Sequence, residues 1–227
     1  MSGIDLTKQY EFFQPENDQT QISIIGCGSV GSTIVENLAR CGITKIDLYD
    51  FDVVEPHNIV NQMFRLKDVG APKVEALKDL CVEINPDLKN TINTYPKGWN
   101  GEMLSGYIFL AVDSIELRKK IVEQHYHNPF VKAVFDVRTG LMDAESRCAV
   151  WSDRKQKKIL LDSMQFTDAE ANASNPVSAC GTTLGVVTTV RLISSMCVNN
   201  YIKLAKGEEH WKYIEIDGFK GELLCFN

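Results

Sequence analysis

The chain has 227 residues, 44% of them apolar and 24% charged, with a formal net charge of -6; that length suits one large α/β domain and is too short for two ordinary domains with a linker. No stretch approaches the run of about 18 apolar residues that spans a bilayer, and the polar start, with Asp5, Lys8 and Glu11, lacks the pattern of a signal peptide, so a cytoplasmic protein with no membrane partner is expected. The acidic balance argues against a nucleic-acid partner, whose binding rests on a basic surface, and seven cysteines at scattered spacings read as free thiols and not as a disulfide framework.

Residues 1–21 form a polar arm with an aromatic knot at Tyr10, Phe12 and Phe13, expected to pack on the body, and Gln14 to Asp18 has the composition of a turn. The apolar run Ile22-Ser23-Ile24-Ile25 predicts a strand, followed by the GxGxxG turn Gly26-Cys27-Gly28-Ser29-Val30-Gly31. Such a turn binds phosphate, because glycines let backbone amides approach an anion and the next helix adds partial positive charge at its N-terminus. Val30, Ile34, Leu38 and Cys41 recur at helical spacing and Gly42 supplies the stop. A second strand, Ile46 to Tyr49, then delivers Asp50. That acid stands about 19 residues past Gly31, the usual place of a carboxylate that binds a nucleotide ribose. ATP and NAD are the two nucleotides this arrangement suits.

Residues 53–68 read as a loop with short helical turns, Pro72 to Ile84 as a helix ended by Asn85-Pro86, and Thr91 to Tyr95 as a strand. Ile108 to Val112 is nearly continuous in apolar residues, as expected of a central parallel strand buried on both faces. It delivers Asp113 to the carboxyl edge of the sheet, where open parallel sheets bind ligands. A helix from Ile115 to His125 and a strand from Val131 to Val137 come next. Cys148 to Trp151 and Ile159 to Leu161 read as a hairpin whose solvated tip is the basic run Arg154-Lys155-Gln156-Lys157-Lys158. After a long polar stretch, Ser163 to Ala179, come a helix from Thr182 to Ala205 and a closing hairpin, Trp211 to Asp217 and Glu222 to Phe226, about Gly218 and Gly221. The expected fold is α/β: a Rossmann-like, mostly parallel sheet flanked by helices, with antiparallel hairpins in the C-terminal half.

The segment beyond Asp50 separates ATP from NAD. The chain runs Asp50-Phe51-Asp52-Val53-Val54-Glu55-Pro56-His57-Asn58-Ile59-Val60-Asn61-Gln62, then Asp68-Val69-Gly70-Ala71-Pro72-Lys73. In order and spacing this resembles the ThiF/MoeB/HesA family of ubiquitin-activating-enzyme-like adenylyltransferases, whose pattern is D-x-D-x-V-x-x-x-N-L-x-R-Q, a spacer, and G-x-x-K. The likeness is close from Ile22 to Arg118 and matches the remainder only in its general course. It implies a single ThiF-like nucleotide-binding adenylation domain over residues 1–227, working as a homodimer. Such a domain uses ATP and Mg2+ to activate the C-terminal carboxylate of a ubiquitin-like or sulfur-carrier protein or of a peptide, releasing pyrophosphate. Two C-x-x-C pairs, the structural zinc site of many members, are absent from the sequence, so no zinc is expected.

Adenylation sets an anion against a polyanion, so a site must supply positive charge, a divalent metal and donors that align both reactants. The amides of Gly26, Gly28 and Gly31 would cradle phosphate, Asp50 would bind ribose, and Lys73 would stabilise the phosphate, with Asp52, Asn58 and Gln62 completing the nucleotide site. Asp113 suits Mg2+, which is usually held by one or two carboxylates plus phosphate oxygens and water. The resemblance implies the same roles at the matching positions. Each has a plainer alternative: Lys73 as a solvated residue at a helix start, Asp113 as the cap of the next helix, Asp52 as an acceptor for backbone amides.

Two departures from the family stand out. Asn61 occupies the place of the arginine in N-L-x-R-Q and cannot replace its charge, and the N-terminal arginine of many relatives is missing, since the first arginine is Arg40. Arg65 and Arg138 are the candidate substitutes. Cys180, just before the Thr182 helix, is either an acyl-accepting nucleophile, its thiol pKa lowered by the helix dipole, or a small packing residue; Cys27 and Cys148 are expected to be structural. The missing arginines keep open a non-catalytic nucleotide-binding subunit that supports an active partner. An NAD-dependent oxidoreductase accounts only for the glycine turn and Asp50.

Overall fold

The computed structural model describes residues 3–174 and 184–227. One eight-stranded sheet organises them, in the order β3-β2-β1-β4-β5-β6-β7-β8. The strands are β1 (Ile22–Ile25), β2 (Ile46–Tyr49), β3 (Ile92–Tyr95), β4 (Gly106–Leu110), β5 (Val131–Thr139), β6 (Asp143–Val150), β7 (Tyr213–Asp217) and β8 (Glu222–Phe226). The first five run parallel, with Ile22 in register with Ile46 on one side and Tyr107 on the other. The last three are antiparallel additions to β5. This is the doubly wound α/β architecture with antiparallel C-terminal strands that the sequence predicts.

The helices are α1 (Ser29–Arg40), α2 (Lys73–Ile84), α3 (Ile115–His125), α4 (Arg154–Asp162), α5 (Asp168–Ser174) and α6 (Val187–Ala205). Because successive strand residues point to opposite faces, β4 divides its side chains between two cores. Tyr107 and Phe109 pack with Ile34, Leu77, Ile193 and Tyr201 from α1, α2 and α6. Ile108 and Leu110 pack with Ile121, Val122 and Leu160 from α3 and α4. In the arm, Phe13 is buried in the first of these cores, while Tyr10 and Phe12 stay exposed.

The second half departs from expectation, first at the basic run. The basic run is no hairpin tip: β6 ends at Val150, and Arg154–Asp162 is helix α4. Asp153 starts it by accepting from the amides of Lys155 (2.8 Å) and Gln156 (3.2 Å), which satisfies donors a helix start would leave bare. Trp151 anchors the approach by donating its indole N–H to His125 O at 2.7 Å. Lys157 and Leu160 then face inward. The polar stretch also holds α5, opened by a reciprocal pair in which Thr167 N reaches Glu170 Oε2 (2.8 Å) and Glu170 N reaches Thr167 Oγ1 (3.2 Å). The long apolar helix is described from Val187, later than the expected Thr182, and Cys180 lies outside the described residues.

β1 pairs with both β2 and β4, so the chain winds away from it in two directions. Ligands of open parallel sheets bind outside the carboxyl ends of the strands at such a switch point. The glycine turn leaves β1 there, Asp50 leaves β2, and the segment carrying Asp113 leaves β4.

Candidate functional site

The glycine turn is fixed by its neighbours. Gly26 has φ +96, open to glycine and strained for other residues, and a Cβ there would lie 2.7 Å from Ala111 O. A Cβ on Gly31 would lie 1.9 Å from Gly26 O, so this glycine lets α1 close on β1. Gly28 differs: a Cβ on it meets nothing within 4 Å, and its φ of -73 is ordinary. The space beside Gly28 is therefore open to a ligand lying against this backbone.

Asp50 is tied to that turn. Its Oδ2 accepts from Cys27 N at 2.6 Å and its Oδ1 from Asp52 N at 2.8 Å. Burial raises the Asp50 carboxyl above 3.8, against those two amide hydrogen bonds, which pull it down. Burial likewise pushes the Cys27 thiol well up, so this cysteine is a packing residue in a closed setting.

Asp52 carries the connection on. Its carbonyl accepts from Lys73 N at 2.9 Å, and its Oδ2 accepts from Lys73 Nζ at 2.8 Å. A bridge between Val53 and Pro72 brings the two chain segments together. Lys73 is therefore buried at the start of α2 and not solvated. The loop between them is closed locally, with Asn58 Oδ1 accepting from Glu55 N at 2.9 Å and Gln62 N donating to Asn58 O at 2.9 Å. The buried Gln62 Oε1 has no hydrogen-bond partner among the described residues. Asn61 donates to Gly185 O at 3.3 Å.

After β4, Asp113 is exposed and makes no hydrogen bond or ion pair among the described residues. It does not cap α3: Ser114 does, its Oγ accepting from Leu117 N at 3.0 Å. Asp168, to which no sequence motif pointed, accepts from Ser114 Oγ (2.7 Å), Ile115 N (2.6 Å) and Glu116 N (3.2 Å). Burial opposes its charge, but these hydrogen bonds, with Arg118 nearby, hold it below 3.8. The Thr167-x-x-Glu170 spacing could have located α5, though not its contact with α3.

The two candidate arginines sit in ion pairs. Arg65 grips both oxygens of Asp68 and reaches Glu83. Since α2 rises about 1.5 Å per residue, Glu83 stands about 15 Å along the helix from Lys73, and Arg65 is engaged with that far end of α2. Arg138 pairs with Asp136 (2.6 Å) and Glu145 (3.2 Å) and donates to Ser163 O and Oγ, each at 3.0 Å.

These residues suit a nucleotide with one metal ion. The open backbone at Gly28 leaves room for phosphate, the α1 N-terminus faces it, and Lys73 brings a held cation. Asp113 is an exposed carboxylate at the same edge, unpartnered among the described residues, and suits Mg2+ that takes its remaining ligands from phosphate and water. Among the described residues no group of three or more His, Cys, Asp and Glu forms a closed metal cage.

A doubly wound sheet with a glycine turn after its first strand, an amide-bound acid after the second and an exposed carboxylate after the fourth defines an α/β protein of the doubly wound class. The sequence pattern of the ThiF family matches residues 8–226, and the chain belongs to that family. Among curated relatives, the ubiquitin-like modifier-activating enzyme 5 of Caenorhabditis briggsae is 32% identical over 136 residues, covering 53% of this chain and 31% of the relative. That of Arabidopsis thaliana is 45% identical over 67 residues, covering 30% and 16%. The chain thus spans less than a third of the length of these relatives. Among solved structures, PaaA superposes with a TM-score of 0.72 at 18% identity, covering 98% of this chain and 68% of its own. E. coli MccB with ATP gives 0.70 at 17%, covering 94% and 64%. At these identities the likeness is one of fold.

Proposed function

We propose that the chain is an ATP-dependent adenylyltransferase domain that activates the C-terminal carboxylate of a ubiquitin-like or sulfur-carrier protein or of a peptide. The observation that carries this reading is the hydrogen-bonded path from the glycine turn through Asp50 and Asp52 to the buried Lys73. It joins the phosphate-binding turn, the ribose acid and a fixed cation into one unit. Membership of the ThiF family and the names of the relatives support the substrate class.

In this reading the carboxylate oxygen attacks the α-phosphorus of ATP and pyrophosphate leaves. Mg2+, when bound at Asp113, would neutralise phosphate charge. The turn amides and the α1 N-terminus hold the phosphates, Asp50 orients the ribose, and Lys73 meets the charge that grows on phosphate oxygens. Because Asp52 and the surrounding fold already hold Lys73, its alignment costs little at the moment of reaction, which is what makes such a group effective. Residues 1–227 would serve as one adenylation domain, assembled as a homodimer. Calorimetric titration with MgATP and with NAD tests the nucleotide: MgATP should bind more tightly, and tighter NAD binding overturns the reading.

A second reading, a non-catalytic nucleotide-binding subunit beside an active partner, is favoured by Asn61. Its amide is engaged with Gly185 O and brings no charge, while Arg65 and Arg138 are held in ion pairs. A native chain without adenylation activity that gains it on Asn61→Arg would establish this second reading.

A further inference from the structure

Asp136 is completely buried within β5, in register with Leu110 at the carboxyl end of β4. Two arginines converge on it. Arg118, buried on α3, pairs with Asp136 Oδ1. Arg138 stands 2.6 Å from Oδ2, an ion pair without hydrogen-bond alignment. A carboxylate is not taken out of water unless paired; Arg118 provides that pairing at Oδ1, and Arg138 is shared between Asp136 and Glu145, 3.2 Å away.

What the arginines do with their other nitrogens explains the arrangement. Arg118 donates to Leu110 O at 2.9 Å and, from Nε, to Val112 O at 2.8 Å, with Nη2 on the same Val112 carbonyl. Val112 immediately precedes Asp113, so the guanidinium grips the backbone that presents this exposed carboxylate. Arg138 donates to Ser163 O and Oγ and lies 5.6 Å from the Phe166 ring centroid. That holds the segment leading into Asp168, whose carboxylate fastens Ser114, Ile115 and Glu116 just beyond Asp113. Asp113 is therefore fixed from its N-terminal side by Arg118 and from its C-terminal side through Arg138 and Asp168. Both clamps meet at Asp136.

We infer that Asp136 is a positioning residue for the metal carboxylate: it orients Arg118 and Arg138 so that Asp113 is presented to Mg2+ in a fixed direction without touching the ion. The inference rests on the reading that Asp113 holds Mg2+. Removal of a partner that orients a metal ligand typically lowers metal affinity by about 10- to 100-fold.

The test is the ratio of ATP affinities measured by calorimetry with Mg2+ and with chelator, for the native chain, Asp113→Ala, Asp136→Asn and Arg118→Lys. Asp136→Asn keeps the shape but cannot hold two cations, and Arg118→Lys keeps the charge but not the fork on Val112 O. The expected result is a Mg2+ enhancement in the native chain that is lost in Asp113→Ala and reduced about tenfold or more in both other variants. A merely structural role for Asp136 would weaken both affinities together and leave the ratio intact, which overturns the inference. If Asp136→Asn fails to fold, Arg118→Lys alone decides: an unchanged ratio overturns it, a reduced one upholds it. Should Asp113→Ala retain the full enhancement, the metal reading itself falls, an outcome distinct from failure at Asp136 alone.

Discussion

Lys73 Nζ lies 2.8 Å from Asp52 Oδ2, with the lysine side chain 9% exposed and the aspartate side chain 48% exposed. The asymmetry matters. A buried cation is paired with an acid that still faces solvent, so the acid retains acceptor capacity while the cation is fixed in direction. A phosphate arriving at the glycine turn would meet an ammonium group that has already paid most of its side-chain ordering entropy.

The three glycines should respond differently to alanine. At Gly28 the added methyl meets no atom within 4 Å, so Gly28→Ala should leave the thermal midpoint nearly unchanged while weakening ATP binding about tenfold or more by blocking approach to the turn. At Gly31 the methyl would lie 1.9 Å from Gly26 O, and Gly31→Ala should destabilise by about 3 kcal/mol, the upper range of overpacking. Paired thermal melts and ATP titrations check both. Equal stability losses at the two positions would remove the argument for an open backbone at Gly28.

Asp113→Ala should be almost silent in stability, within about 0.5 kcal/mol as for a surface change, because the residue is exposed and α3 is capped by Ser114 and Asp168. Adenylate formation should nevertheless be abolished. A collapse of the thermal midpoint together with activity would restore a structural role for this carboxylate.

Arg65→Ala should do the reverse. It strips Asp68, whose side chain is 8% exposed, of its hydrogen-bonded cation while the residue 65 amide still donates to Oδ2, and losing one partner of a buried acceptor costs about 1–3 kcal/mol. ATP affinity should change less than about twofold, since the Arg65 guanidinium is engaged with Asp68 and with Glu83, which stands about 15 Å along α2 from Lys73. A large loss of ATP affinity with unchanged stability would assign Arg65 to the phosphates.

Asp50 predicts a pH signature. Burial raises its carboxyl above 3.8, against opposing hydrogen bonds from the Asp52 and Cys27 amides. The folded state therefore binds this proton more tightly than the unfolded chain. Its favourable contribution is complete below about 3.8 and declines as pH rises through the raised value. Asp50→Asn removes that titration, so the native stability measured relative to Asp50→Asn in urea should fall as pH rises from about 4 upward. A difference that is flat or grows with pH over that window contradicts the assignment.

The first half of the fold was legible because its signals are local: apolar strands of four or five residues, a glycine turn, and helical spacing from Val30 to Cys41. Helix α4 was not, because Ile159-Leu160-Leu161 after a basic run has a strand's composition. What makes it helical is the Asp153 cap together with the seat of Trp151 on His125. The burial of Lys73 depends on Asp52, 21 residues away in sequence, and on the bridge between Val53 and Pro72. Spacing suggested the lysine but not its partner. The clamp at Asp136 is a contact among β5, the turn after β4 and α3, and no periodicity encodes it.

Incorporation of labelled pyrophosphate into ATP tests adenylation most directly. It should be measured with the purified chain, MgATP and, in turn, a ubiquitin-like protein, a sulfur-carrier protein ending in Gly-Gly and a short peptide. The account predicts exchange that requires one of these carboxylates and that falls by about 10²-fold or more in Lys73→Ala, the loss typical of one transition-state donor. A chain that binds MgATP yet catalyses no exchange with any of the three contradicts it.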